Sequence, residues 1–275
     1  MAKSSNNSLK VAILAIGAVI VLVIVLILVQ SPTSSNTNVS YLNASSSVVK
    51  AVTSIASSEY DQVGSGSSNN PPHPITANAL TNNNKPELLY VGAEYCPYCA
   101  TERWAMVAAL SRFGNFSNLN FTTSSSTDVF PSTNTFSFYG STYSSQYLTF
   151  VPVEQYSNQH QGAGYTTLQA LTSQQQSLFN TYDSPPYVSS SIAGSIPFID
   201  FGGKYLIVGA TNSPQVLQNL SWQQIASKLS NPNDPVTKGV LGSANLISAT
   251  ICKMTNNQPA NVCSSTGVSK IESTL

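Results

Sequence analysis

The chain has 275 residues, and only 8% of them are charged, against about 25% in an ordinary soluble domain. Eleven Lys and Arg balance eleven Asp and Glu, which removes any electrostatic case for binding nucleic acid, since that requires a basic surface. A hydrophobic fraction of 41% argues against full disorder.

The first predicted element is an apolar segment at 11–29, where 18 of 19 residues are apolar. At about 1.5 Å per residue it forms a helix of roughly 28 Å, close to the ~30 Å hydrocarbon core of a bilayer. Lys3 and Lys10 precede it, so the positive-inside rule leaves the N-terminus in the cytoplasm. The predicted organisation is a cytoplasmic N-terminus (1–10), a single transmembrane anchor (11–29), a polar tether (30–40) and an extracytoplasmic domain (41–275).

A cleaved signal peptide is the alternative for this segment. Its apolar stretch would span only about 7–15 residues and would precede an A-x-A-like site. The length of the segment favours the anchor, and both interpretations place the large domain outside the cytoplasm.

The exported part of the chain carries several Asn-x-Ser/Thr triplets, which permit glycosylation without demonstrating it. The candidate asparagines are Asn38, Asn43, Asn115, Asn120 and Asn219. A surface with few carboxylates changes little in acid, which makes an acidic exterior a hypothesis for this domain.

Hydrophobic periodicity and turn residues divide the domain into alternating elements. In chain order they predict a short helix (48–56), a loop with prolines (64–84), a buried strand (87–93), a helix (101–113), two strands (119–123 and 147–153), a Gln-rich helix (166–182), a hairpin with a Gly-Gly turn (196–208) and two helices (214–229 and 236–252).

A Cys-Pro-Tyr-Cys motif, Cys96 to Cys99, lies between the predicted buried strand and the helix that follows it. At a helix N-terminus, unpaired N–H groups and the helix dipole favour the thiolate of the first cysteine. Pro97 falls in the first turn, where a missing N–H has no cost. Cys99 is then placed to attack a mixed disulfide formed by Cys96. The motif therefore predicts a redox pair, and it predicts that Pro97 and Tyr98 contact the substrate.

Two other interpretations of this motif remain open. A structural zinc site needs two further ligands, and neither His73 nor His160 has neighbours that suggest a ligand set. The sequence therefore predicts no metal site. An exported domain also uses inert disulfides as structural links, which is the second alternative.

Ile196 and Pro197 open the first strand of the predicted hairpin. In thioredoxin-like folds a cis proline after a hydrophobic residue faces the CxxC motif, and the backbone before it pairs with a substrate strand. An ordinary trans proline is the alternative. The long separation from Cys96 predicts an insertion, so the expected domain has a core (85–230), a helical insertion (122–190) and a C-terminal helical extension (231–275).

Other residues have weaker signals. Cys252 and Cys263 are expected to form a structural disulfide, with a second redox couple as the alternative. Glu94 and Glu102 flank the motif and are candidates for a proton relay, although flanking acids are more often solvated. Arg103 is expected to be an exposed helical charge, with a residue that raises the local electrostatic potential at the motif as the alternative.

The motif and its neighbours resemble a known family, the archaeal domain of unknown function 929. The resemblance is carried by Gly92-Ala93-Glu94-Tyr95-Cys96-Pro97-Tyr98-Cys99-Ala100-Thr101-Glu102-Arg103-Trp104, with support from 63–66, 110–114, 135–138 and 151–154. It implies a thioredoxin-like α/β domain, often behind one N-terminal membrane helix. Unlike in thioredoxins, Tyr90 stands six residues before the first cysteine in place of a buried acid.

These observations predict a membrane-anchored thiol–disulfide oxidoreductase that acts on the thiols or disulfides of exported proteins without a cofactor. A membrane redox partner would recycle Cys96 and Cys99. The alternative is a glycosylated, non-enzymatic cell-surface domain in which the cysteine pairs are structural.

Overall fold

The computed structural model describes residues 41–275. The predicted anchor, the tether and the glycosylation candidate Asn38 lie outside the described residues. Within 41–275, none of the helices combines the length and apolar character needed to cross a membrane.

The described residues form a mixed α/β domain, as the alternation of patterns predicts. The strands are β1 (Leu42–Asn43), β2 (His73–Pro74), β3 (Thr81–Asn82), β4 (Lys85–Gly92), β5 (Gly114–Ser117), β6 (Asn120–Thr123), β7 (Asn134–Ser137), β8 (Thr142–Ser145), β9 (Thr149–Glu154), β10 (Tyr156–Gln161), β11 (Gly164–Thr167), β12 (Phe198–Phe201) and β13 (Tyr205–Val208). The helices are α1 (Ser46–Thr53), α2 (Ser57–Val63), α3 (Pro97–Leu110), α4 (Ser173–Tyr182), a short 3₁₀ helix (Pro214–Leu217), α5 (Trp222–Lys228), α6 (Pro235–Met254), α7 (Ala260–Cys263) and α8 (Thr266–Glu272).

The central sheet is built around β4, which is buried along most of its length. β9 pairs with β4 in parallel, β12 pairs with it antiparallel, and β13 continues the sheet beyond β12. The register aligns Phe198 with Val91, so the start of β12 lies beside the end of β4. A parallel pair requires a crossover connection, and α3 lies in the one between β4 and β9.

Alternating residues of the sheet contribute to two hydrophobic clusters. Leu88 and Tyr90 belong to the larger cluster with α3 and α6, including the fully buried Trp104. Leu89 and Val91 belong to the smaller cluster, against which α4 packs. The larger cluster therefore holds α3, and with it the cysteine motif, against the end of β4.

The structure corrects two of the predicted elements. Helix 166–182 begins only at Ser173, because Gly164–Thr167 pairs with β10 as a hairpin strand. The predicted helix 214–229 is a 3₁₀ turn and a separate helix, α5.

The range 122–190 is not the helical insertion that was expected. It contains mainly strands, with α4 as its long helix, and β9 within it is a member of the central sheet. This part of the prediction is wrong, because the range includes β9, which is the parallel partner of β4 and so belongs to the central sheet. From Pro235 onwards the chain is helical.

Candidate functional site

The cysteine motif connects the end of β4 to the start of α3. Cys96 is the N-cap residue of this helix, with extended backbone angles, and Pro97 occupies the first turn. The backbone N–H of Cys99 donates to the Sγ of Cys96 over 3.2 Å. A sulfur thus takes the place of the oxygen acceptor that usually caps a helix, and the same N–H stabilises a negative charge on that sulfur.

The start of β12 faces the same sulfur. The Ile196–Pro197 peptide bond is cis. The thiol of Cys96 points to the carbonyl oxygen of Ile196, with 3.6 Å between sulfur and oxygen. The structure therefore brings together Cys96, Cys99, Ile196 and Pro197, as the sequence predicts.

Access to the motif is narrow. Cys96 retains 5% of its surface and Cys99 none, while Pro97 is also buried. Tyr98 is 43% exposed, and its ring meets that of Phe130 edge-on with 6.0 Å between centroids. Of the four residues of the motif, Tyr98 alone is exposed, and Cys96 keeps a small accessible area.

The two thiols have opposite electrostatic environments. Hydrogen bonds from Cys99 and the charge of Arg103 lower the pKa of Cys96, against the opposing effect of burial. Burial and the adjacent Cys96 raise the pKa of Cys99 well above its ordinary value. The environment therefore favours ionisation of Cys96 over ionisation of Cys99.

Arg103 is buried completely, so its predicted exposure is wrong. Its Nε and Nη2 donate to the two carboxylate oxygens of Glu154, each over 2.7 Å. Its Nη2 also donates to the carbonyl oxygen of Ala93 over 2.7 Å. The backbone N–H of Cys96 donates to that same oxygen over 3.3 Å. A buried ion pair therefore lies one carbonyl group away from the backbone N–H of Cys96.

Glu94 is buried beside this ion pair, and the expectation that the flanking acids are solvated is wrong. The hydroxyl of Ser137 donates to its carboxyl group. Burial and the nearby charge of Glu154 raise the pKa of Glu94 to about 7. Among the described residues no hydrogen bond joins Glu94 to a cysteine, so its role in a proton relay stays a prediction.

Glu102 is also buried, but its hydrogen bonds turn away from the motif. The backbone N–H and hydroxyl of Thr211 both donate to its Oε2 over 2.8 Å. Burial raises its pKa to about 7. These contacts fix α3 to the loop after β13 and do not connect Glu102 to a cysteine.

Tyr90 is a fully buried residue of β4, the strand that leads into the motif. Its ring lies over Gly92, where any Cβ would collide with the Tyr90 hydroxyl. Among the described residues, that hydroxyl is buried without a hydrogen-bond partner. Burial raises its pKa well above the ordinary value.

The second cysteine pair forms the predicted disulfide bond. Cys252, in α6, and Cys263, in α7, are joined by a disulfide bond, whereas Cys96 and Cys99 are free thiols. Within residues 41–275, no three or more His, Cys, Asp or Glu side chains are grouped so as to hold a metal ion.

The glycosylation candidates within the domain differ in exposure. Asn43, Asn115 and Asn219 are exposed, whereas Asn120 is half-buried and its side chain donates to the carbonyl oxygen of Tyr139.

Glu154 and Ser137 were not predicted as parts of the site. The signal for them was their position: Ser137 lies in the 135–138 stretch and Glu154 in the 151–154 stretch, both of which carry the family resemblance. The fold brings these separate stretches to Glu94 and Arg103.

A sequence model described as Domain of unknown function (DUF929) matches residues 72–253. The chain belongs to the DUF929 family. The DUF929 match includes the cysteine motif, the buried ion pair and the cis proline, and it ends before Cys263. No curated protein and no solved structure matches the chain.

Proposed function

We propose that this chain is a membrane-anchored thiol–disulfide oxidoreductase that acts on exported proteins through Cys96 and Cys99. The observation that carries the proposal is the position of Cys96 at the N-cap of α3, where its sulfur accepts the N–H of Cys99. That hydrogen bond favours the thiolate, which is the reactive form in disulfide exchange.

The reaction that these residues support has two steps. The Cys96 thiolate attacks one sulfur of a client disulfide, forming a mixed disulfide and releasing the other client sulfur as a thiolate. Cys99 then loses its proton and attacks the Sγ of Cys96, releasing the second client sulfur. The client gains two electrons and the pair loses them as the Cys96–Cys99 bond forms; the reverse sequence oxidises a client dithiol.

Two features favour a thioredoxin-like domain. The motif connects a central strand to a helix, and a cis proline opens the antiparallel strand next to it. This pairing of CxxC and cis proline is the one that the family resemblance implies. The half-buried Ile196, with its carbonyl oxygen at the Cys96 sulfur, is then the backbone contact for a client segment.

The surroundings of the pair fit a protein client better than a small polar substrate. The exposed ring of Tyr98 lies within the motif, between the two cysteines in sequence, and aromatic side chains are favoured at protein interfaces. The apolar segment at 11–29 would hold the domain outside the membrane, near a membrane redox partner that recycles the pair.

The alternative is a non-enzymatic surface domain with structural disulfides only. Cys252 and Cys263 serve that purpose, but the free Cys96 and Cys99 favour the exchanging role. An inert link would not need a sulfur capped by its partner's N–H.

The test is turnover of a protein disulfide by the full chain in detergent. We expect it to reduce insulin with dithiothreitol as electron donor, or to reactivate scrambled ribonuclease, faster than the uncatalysed reaction. Cys96→Ser is expected to abolish both activities. Cys252→Ala combined with Cys263→Ala is the matched control, and it should retain activity at temperatures where it stays folded. A folded wild-type chain whose pair reacts with neither substrate would contradict the proposal.

A further inference from the structure

The buried Arg103 is unusual in its surroundings, because it shares the carbonyl oxygen of Ala93 with the backbone N–H of Cys96. α3 begins at Cys96, and Arg103 follows Cys99 by four residues, on the same face of the helix. Side chains in a helix incline towards its N-terminus, which directs the guanidinium back to the motif. The hydrogen bond from its Nη2 to Ala93 shows this direction, since Ala93 precedes the motif.

The contacts hold the guanidinium in one place. The two carboxylate oxygens of Glu154 accept parallel hydrogen bonds from the guanidinium. The carbonyl oxygen of Ala93 accepts one hydrogen bond from Arg103 and one from the backbone N–H of Cys96. The third nitrogen, Nη1, is buried without a hydrogen-bond partner among the described residues. A fixed positive group with unused donor capacity is therefore linked to the backbone of Cys96 through one carbonyl group.

The free-energy cost of burying an ion pair bears on the role of Arg103. A buried ion pair is weak evidence for stability, because desolvation of both charges opposes their attraction. An arginine that served packing alone could be replaced by an apolar side chain of similar volume. Its presence next to a sulfur that ionises during exchange points to an electrostatic role.

We infer that Arg103, held by Glu154 and by the carbonyl group of Ala93, is a positioning residue that stabilises the reduced thiolate form of Cys96, so that the couple acts as an oxidant of dithiols in exported polypeptides. This inference rests on the proposed function and adds the direction of electron flow. A couple whose reduced form is stabilised has a higher reduction potential.

The oxidising reaction has two thiol–disulfide exchange steps. A client thiolate attacks the Sγ of Cys96 in the Cys96–Cys99 disulfide, and Cys99 leaves as a thiolate and takes up a proton. The second client thiolate then attacks the client sulfur of the mixed disulfide, and Cys96 leaves as a thiolate above Arg103. The client loses two electrons and gains a disulfide bond, while the couple gains two electrons. A quinone-linked oxidant in the membrane is the class of partner that restores the disulfide.

The test compares two variants whose effects on the potential have opposite signs. Glu154→Gln leaves the charge of Arg103 without its carboxylate neighbour, while the glutamine oxygen still accepts from the guanidinium. Arg103→Met combined with Glu154→Gln removes both charges and keeps the side-chain volumes similar. The equilibrium constant of each full chain with reduced and oxidised glutathione is measured, with circular dichroism as the folding control.

The double variant is expected to form the dithiol at least about tenfold less readily than the wild type, equivalent to a potential about 30 mV lower. Glu154→Gln is expected to shift the constant in the opposite direction. A structural role would move the two constants together or not at all, and either result would overturn the inference, as would a double variant within twofold of the wild type. A wild-type pair that does not exchange with glutathione would overturn the proposed function as well, so the two failures are distinguishable.

Discussion

The sulfur of Cys96 lies 3.6 Å from the carbonyl oxygen of Ile196, although 100 residues separate them in the chain. The strand register explains this contact, because β12 begins beside the end of β4, where the motif starts. The sheet therefore holds the sulfur of Cys96 against the backbone just before β12. Under the proposed function, a client segment would lie against this carbonyl group.

Mixed disulfides should accumulate on one cysteine only. In Cys99→Ser the resolving thiol is missing, so client proteins remain attached to Cys96 and are recovered from cells as complexes that a reductant dissolves. In Cys96→Ser the remaining thiol is fully buried, so few or no complexes are expected. Equal capture by both variants would contradict the assigned roles.

Tyr98→Ala should weaken protein clients without changing the redox chemistry. The ring is 43% exposed, packs edge-on against Phe130 and makes no hydrogen bond to either sulfur, so its removal takes away client contact area and the Phe130 contact but no bond to the pair. We expect KM for a protein client to rise several-fold, as for other interface tyrosines, with kcat nearly unchanged. Exchange with glutathione, which is too small to use this contact, is the control. A matching loss in the glutathione reaction would assign Tyr98 to the chemistry instead.

The domain should be more stable in acid than at neutral pH. Burial raises the pKa of Glu102 from 4.5 to about 7 and that of Asp200 from 3.8 to about 6. The folded state therefore binds these protons more tightly than the unfolded state. Their stabilising effect is complete below about pH 4 and is lost as the pH rises towards 7. Each unit of pKa difference corresponds to about 1.4 kcal/mol.

The measurement is the melting temperature between pH 3 and pH 8, which we expect to fall as neutrality is approached. Glu102→Gln keeps an oxygen to accept from Thr211 but cannot ionise, so its melting temperature should depend less on pH. A wild-type melting temperature that rises steadily from pH 4 to pH 7 would contradict this prediction and the hypothesis of an acidic exterior.

The disulfide between Cys252 and Cys263 should contribute to stability but not to redox activity. It closes a short loop, with a sequence separation of 11, between α6 and α7. The chain-entropy model gives about 3 kcal/mol for a loop of this size. Denaturant unfolding of Cys252→Ala/Cys263→Ala should show a loss of that order. An altered glutathione equilibrium at Cys96 and Cys99 would instead favour a second redox couple.

The sequence was sufficient for the elements with strong local signals. The apolar run before Cys96, the helix after it and the Gly-Gly hairpin each have a pattern that neighbouring residues determine. Gly202 and Gly203 both have positive φ in the turn, as that pattern requires. The disulfide was likewise predicted from spacing and compartment.

The buried charges could not be predicted in this way. Arg103 was expected to be exposed, and Glu94 was weighed as a solvated acid or a proton relay, because an isolated buried charge is costly. The groups that compensate the two charges lie far along the chain. Glu154 is 51 residues from Arg103, and Ser137 is 43 residues from Glu94. Only the tertiary fold brings these partners together. The strand at 164–167 was missed for the same reason, because its hairpin partner β10 has a polar sequence without a clear alternation.

The central claim is that Cys96 is an ionised, reachable thiol in the folded protein, and the rate of its alkylation as a function of pH tests this most directly. The full chain, with its Cys252–Cys263 disulfide intact, is treated with iodoacetamide between pH 4 and pH 10, and the modified residue is identified by mass spectrometry. We expect Cys96 alone to react, with a midpoint below about 8.5, the pKa of an unperturbed thiol. A Cys96 that reacts only when the protein unfolds, or whose midpoint is at or above that value, would contradict the account.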